Sequence, residues 1–587
     1  MEHPFAEQCQ ELARSILWNN LSAIREDGML DPVGEEVPVP NEPGHAVLAI
    51  GEYFRAEGEL RLDQFDLPDL AARALSAQVA NSGQDENGLA YGALGMLSFG
   101  PARDRNEVWI RLDEEVRETL DRQLLTREDF TDHRQAFNIA KAVTRFSFGL
   151  TRKDETGKLI ERFLAPLEEK SATGYFDDSG EHGIGGVYDI YGILSFVLIR
   201  QSLQLHANVH LRDRKLPSLR THGEKYLKVL LDLVRQDGLG WAYGENIGAY
   251  GQMHCISLIL QALRDNWVAP ERKPVYLDLL RRLFQFFFET YVDQEEGTIV
   301  VRDHERTSLA RHTSRLANFD AARYLSQWSR LARSIGGTLA DARPAPAKSG
   351  GKLFLFEKGR REHGLFNYSD AQSGLHLQIP LVGNRARANS DSLAFPHAPG
   401  LFDWPTGRYL PLFQPELRIG EDRVVPSYYG KGCTTGLGRG NALYFTYEQP
   451  DFITVEEKIL SGIGSCRVRW EFRGSRISSE FVYEVRTQTQ IQGMRYTMAV
   501  GLPHSRHCME TSLRLGDEGL RPNILKDDFQ GEWRENEIVT NDPNARTYWG
   551  PLFYLQTLER DHPLVLRPGQ TYRFAIEFEP DLVLVGG

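Results

Sequence analysis

Residues 174–192, GYFDDSGEHGIGGVYDIYG, carry the side chains of this sequence that are best suited to proton transfer. His182 lies in a glycine-rich loop, and the apolar run that follows predicts a helix over residues 187–206. Tyr188 and Tyr191 lie on the first turns of that helix. Because residues three apart share a helical face, both phenols are expected to point the same way. Histidine and tyrosine can both transfer protons, although a glycine loop with a core tyrosine pair would give the same pattern.

Asn138 and a basic segment are candidates for binding an anionic group. Asn138 lies at the start of an apolar helix, AFNIAKAVTRFSFGL, where an amide aided by the helix dipole can bind a carboxylate. A capping or solvent-facing asparagine is the alternative. Residues 301–316 form the densest basic stretch and contain Arg306 and Arg311. Guanidinium groups bind carboxylates through two parallel hydrogen bonds, and a salt-bridged helix face is the alternative here.

The glycine-rich layout occurs three times, in residues 86–97, 173–194 and 237–258. Each copy opens with a glycine turn and an aromatic residue and enters a helix through a tyrosine. This repeat predicts helical hairpins that close into an (α/α) toroid with the glycine-rich loops at one mouth, although glycine plus aromatic is also ordinary loop-to-helix chemistry. The third copy is either the site itself or an adjoining subsite. The third copy contributes four candidate substrate-binding residues, which are Tyr243, Asn246, Tyr250 and His254. Tyr188, Arg306 and Arg311 are further candidates for binding the substrate.

The elements that must position these residues change type once along the chain. Residues 1–335 predict successive helices joined by short loops, and residues 336–352 form a linker rich in Pro, Gly and Ala. Residues 353–587 have the alternation and the β-branched and aromatic content of strands, which predicts a large antiparallel sheet or sandwich. The expected fold class is therefore α+β and multidomain. The candidate helices are 5–26, 45–57, 67–80, 88–98, 128–149, 156–169, 187–206, 219–235, 249–265, 273–292 and 318–334.

Composition excludes several classes of function. A net charge of −13 over 587 residues argues against a general nucleic-acid binder, because binding the phosphate backbone needs a basic surface. The five cysteines are widely spaced without a CxxC pair, so neither a zinc site nor a disulfide framework is indicated, and we expect no metal. No apolar run reaches the length of a membrane span, and the N-terminus does not resemble a signal peptide. We expect a cytoplasmic protein, or a secreted one if a leader has been removed.

Asn, His, Tyr and Arg together suit the β-elimination of a uronic-acid glycoside. Removal of the C5 proton places negative charge on the carboxylate, and an amide or arginine that neutralises it stabilises the enolate-like state. A tyrosine has an ordinary pKa of about 10, so a nearby histidine or arginine must favour the phenolate. The same tyrosine, once protonated, can donate to the leaving oxygen. This chemistry needs no cofactor.

At these residues the chain resembles polysaccharide lyase family 8, the hyaluronate, chondroitin AC and xanthan lyases. AFNIAKAVTRFSFGL is similar to the family segment GAN-x-x-x-x-AK, and GYFDDSGEH and VYDIYG are similar to DGSF-x-x-H and Y-x-x-x-YG, although AK follows Asn138 more closely and the two tyrosines are three residues apart. The nine-residue step from His to Tyr is the same. The resemblance implies an incomplete (α/α) toroid followed by an antiparallel β super-sandwich. It implies Asn138 as carboxylate neutraliser, His182 as assisting base and Tyr191 as proton acceptor and donor, with an acidic poly- or oligosaccharide as substrate. Arg306 and Arg311 match the R-x-x-x-R pair of the family only loosely.

The chain also departs from the family pattern, and two other functions are consistent with its residues. The NWW, NGEN and PGTT segments of the family have no match, so we expect a distant relative with a different substrate. A glycoside hydrolase would use two carboxylates across the scissile bond. A non-catalytic carbohydrate-binding protein would use aromatic rings for stacking. The carboxylates that these loops offer to a hydrolase are Asp177, Asp178, Glu181, Asp189 and Glu245.

Overall fold

The computed structural model of this chain describes most of both halves. The described residues are 4–32, 39–81, 86–125, 130, 132–170, 173–178, 188, 190–205, 209–234, 238, 240, 249–293, 295, 297–299, 315–335, 339–344, 349–373, 375–381, 396–397, 415–426, 428–454, 458–500, 523–539, 546–547, 550–551 and 554–578.

The N-terminal half is helical, as its sequence predicts. Its helices are α1 (Pro4–Leu21), α2 (Glu42–Glu57), α3 (Leu67–Asn81), α4 (Glu86–Leu97), α5 (Glu114–Leu124), α6 (Gln135–Ser147), α7 (Lys153–Lys170), α8 (Ile190–Leu205), α9 (Val209–Leu233), α10 (Ala249–Arg264), α11 (Lys273–Tyr291) and α12 (Arg315–Ser334). Four short strands pair within this half, β1 (Arg61–Leu62) with β2 (Phe65–Asp66) and β3 (Val292–Asp293) with β4 (Thr298–Ile299). None of the described helices is long and apolar enough to cross a membrane.

Six of these helices contact each other in cyclic order. The order is α2, α4, α6, α8, α10, α12 and back to α2, and each of the other helices packs against one or two of them. The ring helices are buried on nearly all sides, as residues 42–53 of α2 and almost all of α10 show. The flanking helix α5 buries only Leu120 and Leu124. The sequence reflects this division, because a helix that is apolar all round must be covered by neighbours.

The C-terminal half is rich in antiparallel sheet in its described residues. A four-stranded sheet has the order β5-β6-β7-β8, a five-stranded sheet β10-β9-β18-β23-β20, and a six-stranded sheet β11-β12-β15-β16-β25-β19. Phe366 of the first sheet stacks on Phe445 of the six-stranded sheet with ring centroids 4.8 Å apart, so these two sheets are in contact. The predicted order of a helical half and then a sheet-rich half is confirmed.

The strands of this half have the following bounds. They are β5 (Gly350–Glu357), β6 (His363–Ser369), β7 (His376–Leu381), β8 (Pro396–His397), β9 (Pro415–Ile419), β10 (Asp422–Val424), β11 (Lys431–Leu437), β12 (Leu443–Gln449), β13 (Phe452–Ile453), β14 (Ile459–Leu460), β15 (Gly464–Arg473), β16 (Arg476–Val485), β17 (Thr489–Ile491), β18 (Gly493–Val500), β19 (Asn523–Asp527), β20 (Arg534–Val539), β21 (Arg546–Thr547), β22 (Gly550–Pro551), β23 (Tyr554–Arg560), β24 (Leu564–Leu566) and β25 (Thr571–Phe578).

The first sheet of the C-terminal half packs directly on the helices. Phe354, Phe356 and Leu365 from β5 and β6 belong to the same buried core as the helical half. Lys352 pairs with Asp232 of α9 at 2.6 Å. Helix α12 ends at Ser334 and β5 begins at Gly350, so the strand starts inside the predicted linker. The three predicted domain ranges stay a prediction.

Candidate active site

Tyr191 lies on the first turn of α8 and faces a histidine. Its ring stacks on the imidazole of His133, with centroids 4.4 Å apart and planes 17° from parallel. His133 lies two residues before α6 begins, so this contact joins the N-terminal ends of two neighbouring ring helices. The tyrosine ring is half-buried. The structure thus brings a phenol and an imidazole together at the start of two helices.

A buried carboxylate fixes the position of His133. Asp178, whose side chain is 7% exposed, accepts a hydrogen bond from the backbone N–H of His133 at 2.7 Å. Its other oxygen lies 2.8 Å from Nδ1 of the same residue. Because an ionised carboxylate only accepts, Nδ1 carries a proton, and the ring is held in one tautomer and one orientation. Asp178, His133 and Tyr191 therefore form an ordered group.

Asn138 lies on an adjoining face of α6. It is buried, and its Nδ2 donates to Oε1 of Gln135 at 3.0 Å. With Lys141 and Arg145 it lines a cavity that residues of α5 and α7 complete. The preceding residue of α6, Phe137, contacts the edge of His133 at 6.3 Å. Asn138 therefore faces the cavity beside α5 and α7, whereas Phe137, on a different side of α6, contacts His133.

Tyr188 does not share the orientation of Tyr191. Helix α8 begins at Ile190, so Tyr188 precedes it, and the prediction that both phenols lie on one helical face is wrong. Its ring packs on Phe356 at 4.7 Å, and its hydroxyl donates to Glu357 at 3.2 Å, both in β5. Burial, followed by the charges of Asp177 and Glu357, raises the pKa of Tyr188 far above its usual value. Packing against a distant strand has determined this orientation.

Tyr250, on the first turn of α10, donates its hydroxyl to a buried carboxylate. The acceptor is Asp320 of α12, at 2.9 Å. The same carboxylate lies 2.8 Å from Nδ1 of His45 and 3.2 Å from the guanidinium of Arg323. Burial alone would raise the pKa of Asp320, but the charge of Arg323 and the hydrogen bonds from His45 and Tyr250 hold it well below its usual value. This carboxylate connects helices α2, α10 and α12.

Arg323 completes this buried network. Its guanidinium carbon lies 4.6 Å from the ring centre of Tyr91 and 4.4 Å from that of Tyr324. It donates to the hydroxyl of Tyr324, which lies 3.0 Å from Nδ1 of His254. Burial and the charge of Arg323 lower the pKa of His254 to about 3, so its imidazole is neutral at neutral pH. His254 is therefore enclosed among core side chains.

Aromatic contacts connect the buried network to the Tyr191 group. His45 packs edge-on against Tyr91 at 4.5 Å, and Tyr91 packs edge-on against Phe137 at 5.4 Å. Phe137 contacts His133, which stacks on Tyr191. His45, Phe137 and Tyr191 lie in the first turns of ring helices and His133 just before one, while Tyr91 lies in the middle of α4. The N-terminal ends of α2, α6 and α8 consequently meet at one end of the helical half.

Several predicted residues lie outside the described part of the chain. They are His182, Tyr243, Asn246, Arg306 and Arg311, together with the candidate carboxylates Glu181, Asp189 and Glu245.

Sequence reasoning missed His133, His45, Asp320 and Arg323, and it assigned Asp178 only to a hydrolase. His133 lies five residues before Asn138, and its position next to the matched segment was the available signal. Asp132, His133 and Asp178 could also present three ligand atoms within 4.8 Å of one another to a cation. Hydrogen bonds account for this grouping, because Asp178 accepts from His133 and Asp132 pairs with Arg134 at 2.7 Å.

Comparison with solved structures finds similar folds among polysaccharide lyases. The chain aligns over 98% of its length with 79% of a chondroitin AC lyase of Streptomyces coelicolor A3 in complex with chondroitin sulphate, with a TM-score of 0.53 and 11% identity. Heparinase III aligns over 99% of this chain and 92% of its own, with a TM-score of 0.46 and 9% identity. A Paenibacillus xanthan lyase aligns over 99% and 57%, with a TM-score of 0.49 and 8% identity.

Sequence comparisons give no relative of this kind. No protein-family model matches the chain, and no curated protein sequence matches it. At 11% identity, the likeness to the Streptomyces enzyme establishes a common fold and nothing finer.

Proposed function

We propose that this protein is a polysaccharide lyase that cleaves a uronic-acid-containing poly- or oligosaccharide by β-elimination. The observation that carries the proposal is the contact of Tyr191 with His133, whose imidazole is held by the buried carboxylate of Asp178. A phenol and an imidazole in contact are two proton-transfer groups at one place. The common fold with an enzyme named as a chondroitin AC lyase supports the same reaction class here.

The partners of three tyrosines favour Tyr191 as the base. Tyr188 and Tyr250 both donate their hydroxyl hydrogen to carboxylates, Glu357 and Asp320. A negative charge at that position opposes formation of the phenolate. The ring of Tyr191 stacks on the imidazole of His133, and the adjacent carboxylate of Asp178 favours the positively charged form of that imidazole. An imidazolium over the ring stabilises a phenolate by electrostatic attraction.

The proposed reaction begins with the phenolate of Tyr191 and ends with its regeneration. The phenolate takes the C5 proton of the uronate with His182 as assisting base. The resulting charge spreads onto the carboxylate, which Asn138 neutralises. The C4–O4 bond then breaks, a double bond forms between C4 and C5, and Tyr191 returns the proton to the leaving oxygen. One residue accepts and donates the same proton, so the chemistry balances without a cofactor.

The arrangement of the helices supports an acidic substrate. We infer that the helical half is an (α/α) toroid, because α2, α4, α6, α8, α10 and α12 contact each other in cyclic order. The contact of α12 with α2 supports a closed ring rather than an incomplete one.

The N-terminal ends of α6 and α8 meet beside Tyr191, and helix N-termini attract anions. We further infer that the three larger sheets form a β super-sandwich.

An ultraviolet absorbance assay tests this proposal. The purified protein is incubated with hyaluronan, chondroitin, heparosan, alginate, glucuronan and xanthan-type side chains, with Tyr191→Phe as the matched control. A lyase product has a C4–C5 double bond conjugated to the carboxylate and absorbs in the ultraviolet. We expect absorbance to rise with at least one substrate for the wild type and with none for the variant.

A glycoside hydrolase is the alternative that the same assay separates. Hydrolysis needs two carboxyl groups across the scissile bond. Asp178 is held by two N–H groups of His133, which weighs against its use as an acid or nucleophile. New reducing ends without absorbance would favour the hydrolase. No product of either kind from any substrate would leave the binding protein as the better proposal.

A further inference from the structure

One face of α9 holds the loop that carries Asp178. His222, Lys225 and Tyr226 are three and four residues apart on α9, so their side chains share a face. The Tyr226 side chain is 1% exposed, and its hydroxyl accepts a hydrogen bond from the backbone N–H of Phe176 at 3.0 Å. Phe176 precedes Asp178 by two residues. The hydroxyl of Tyr226 therefore anchors the segment that positions His133.

The same hydroxyl touches the helix that carries Tyr191. A Cβ atom added at Gly192 would overlap with the hydroxyl oxygen of Tyr226 and would lie 3.1 Å from its Cζ. Gly192 directly follows Tyr191 in the first turn of α8. Any side chain at position 192 would thus push Tyr226 away from the backbone of Phe176. This close approach gives a physical reason for glycine after the tyrosine of VYDIYG.

Packing holds the ring of Tyr226 independently of its hydroxyl. Tyr175 meets Tyr226 edge-on at 5.6 Å and Phe356 of β5 at 4.9 Å. A Cβ at Gly174, where φ is +84°, would overlap with the side chain of Lys225. The loop of residues 173–178 is therefore enclosed between α9 and β5. Removing only the hydroxyl should leave this enclosure in place.

We propose that Tyr226 is a positioning residue for the Tyr191 site. Its hydroxyl contacts both segments that meet there, the Phe176 segment leading to Asp178 and His133, and the Gly192 segment leading to Tyr191. It thereby sets the separation between the imidazole and the phenol. Its effect on the reaction rests on the proposed function, because Tyr191 must be the reacting group.

Three variants of the full chain test this role kinetically. Tyr226→Phe should lower kcat by about 10- to 100-fold with KM within about twofold, the size expected when a reacting group is displaced by a fraction of an ångström to 1 Å. Gly192→Ala should lower kcat more, although alanine is ordinarily the better helix former. The double variant should recover part of the loss of Gly192→Ala, since the overlapping oxygen is gone.

Tyr276→Phe is the matched control. Tyr276 is also buried, and its hydroxyl donates to the backbone of Leu227 on α9 at 3.4 Å. It should leave kcat unchanged. An unchanged kcat in Tyr226→Phe would overturn the proposal, because the hydroxyl would then have no effect on the reaction. A double variant no better than Gly192→Ala would also overturn it, because the hydroxyl would then not connect position 192 to the Phe176 segment.

Hydrogen exchange separates this inference from the proposed function. Peptides that cover residues 173–178 should exchange faster in Tyr226→Phe than in the wild type and in Tyr276→Phe. Unchanged exchange would refute the anchor whatever the activity. If the wild type eliminates no substrate, the proposed function fails and the kinetic role with it, while faster exchange would still establish the anchor itself.

Discussion

Two copies of one loop layout lead to opposite uses of a tyrosine. Tyr191 and Tyr250 each lie on the first turn of a ring helix after a glycine-rich segment. The ring of Tyr191 stacks on His133, whereas the hydroxyl of Tyr250 donates to Asp320. One phenol faces a group that can favour its negative form, and the other faces a negative charge. The repeated layout therefore predicts where in the fold each tyrosine lies, whereas the side chains that contact the tyrosine determine its chemistry.

The two regions also differ in how they handle charge. The side chains of Asp320 and Arg323 are each 3% exposed and pair at 3.2 Å, deep in the ring. His133 is 22% exposed in its side chain, next to a half-buried phenol. Buried ion pairs of this kind are costly to break because the remaining charge has no solvent. We infer that the Tyr250 region holds α2, α10 and α12 together and that the Tyr191 region performs the reaction.

The largest expected effect is the loss of activity when Tyr191 is replaced by phenylalanine, compared with the same replacement of Tyr250. Tyr191→Phe should lower kcat by about 10⁴-fold, the upper range for loss of a general acid–base group, with an unchanged melting temperature. Tyr250→Phe should keep kcat within about tenfold and lower the melting temperature, because a hydrogen bond to a buried carboxylate is lost. Ultraviolet assays and thermal unfolding of both variants measure this. Turnover that survives in Tyr191→Phe and vanishes in Tyr250→Phe would reverse the two assignments.

Asp320→Ala should destabilise the protein strongly. It leaves Arg323 buried without its carboxylate, a change that costs about 3–5 kcal/mol in the free energy of unfolding. Asp278→Ala is the matched control. Asp278 is equally buried, but its partners Arg281 and Arg282 are 46% and 22% exposed and can turn to water. Urea unfolding should show a larger loss in the free energy of unfolding for Asp320→Ala than for Asp278→Ala. Equal losses would mean that the buried network of Asp320 contributes no more to stability than the partly exposed ion pairs of Asp278.

Asn138→Ala tests whether the Tyr191 region extends along α6. We expect kcat to fall by about 10²–10³-fold, the loss seen when one donor to a developing negative charge is removed. Gln135→Ala is the control, since it removes the acceptor that Asn138 contacts at 3.0 Å but keeps the amide. Steady-state kinetics on the substrate found in the ultraviolet assay measures both. An unchanged rate in Asn138→Ala would return Asn138 to a structural role.

The sequence predicts the ring helices well because their apolar periodicity is strong. Helix α8 is expected over 187–206 and found at Ile190–Leu205. Helix α5 is absent from the predicted helices, because only Leu120 and Leu124 of its eleven residues are buried and the apolar signal is weak. Helix α9 begins ten residues before its predicted start and continues through Pro217, where local rules end a helix.

Contacts between distant segments are the part of the site that local pattern does not contain. Tyr188 turns away from Tyr191 because Phe356 and Glu357, far along the chain, pack against it. The pairing of His133 with Asp178 spans 45 residues and depends on how α9 and β5 enclose the loop. The Tyr191 position, in contrast, followed from motif spacing, while its role as base and acid stays a prediction.

The smallest expected effect is on the pH dependence of stability. Burial lowers the pKa of His254 in the folded protein to about 3, while the unfolded chain has the ordinary value of about 6.5. Between these values the unfolded state binds the extra proton, so the free energy of unfolding is highest above pH 6.5 and falls as the pH drops. One such group accounts for about 1.4 kcal/mol per pH unit at most. His254→Gln should flatten the loss between pH 6.5 and pH 4.5 in urea unfolding, whereas replacing the exposed His562 should not. Equal slopes of the free energy of unfolding against pH in both variants and the wild type would show that protonation of His254 is not coupled to folding. That result would weaken the contrast between a Tyr250 region that stabilises the fold and a Tyr191 region that performs the reaction.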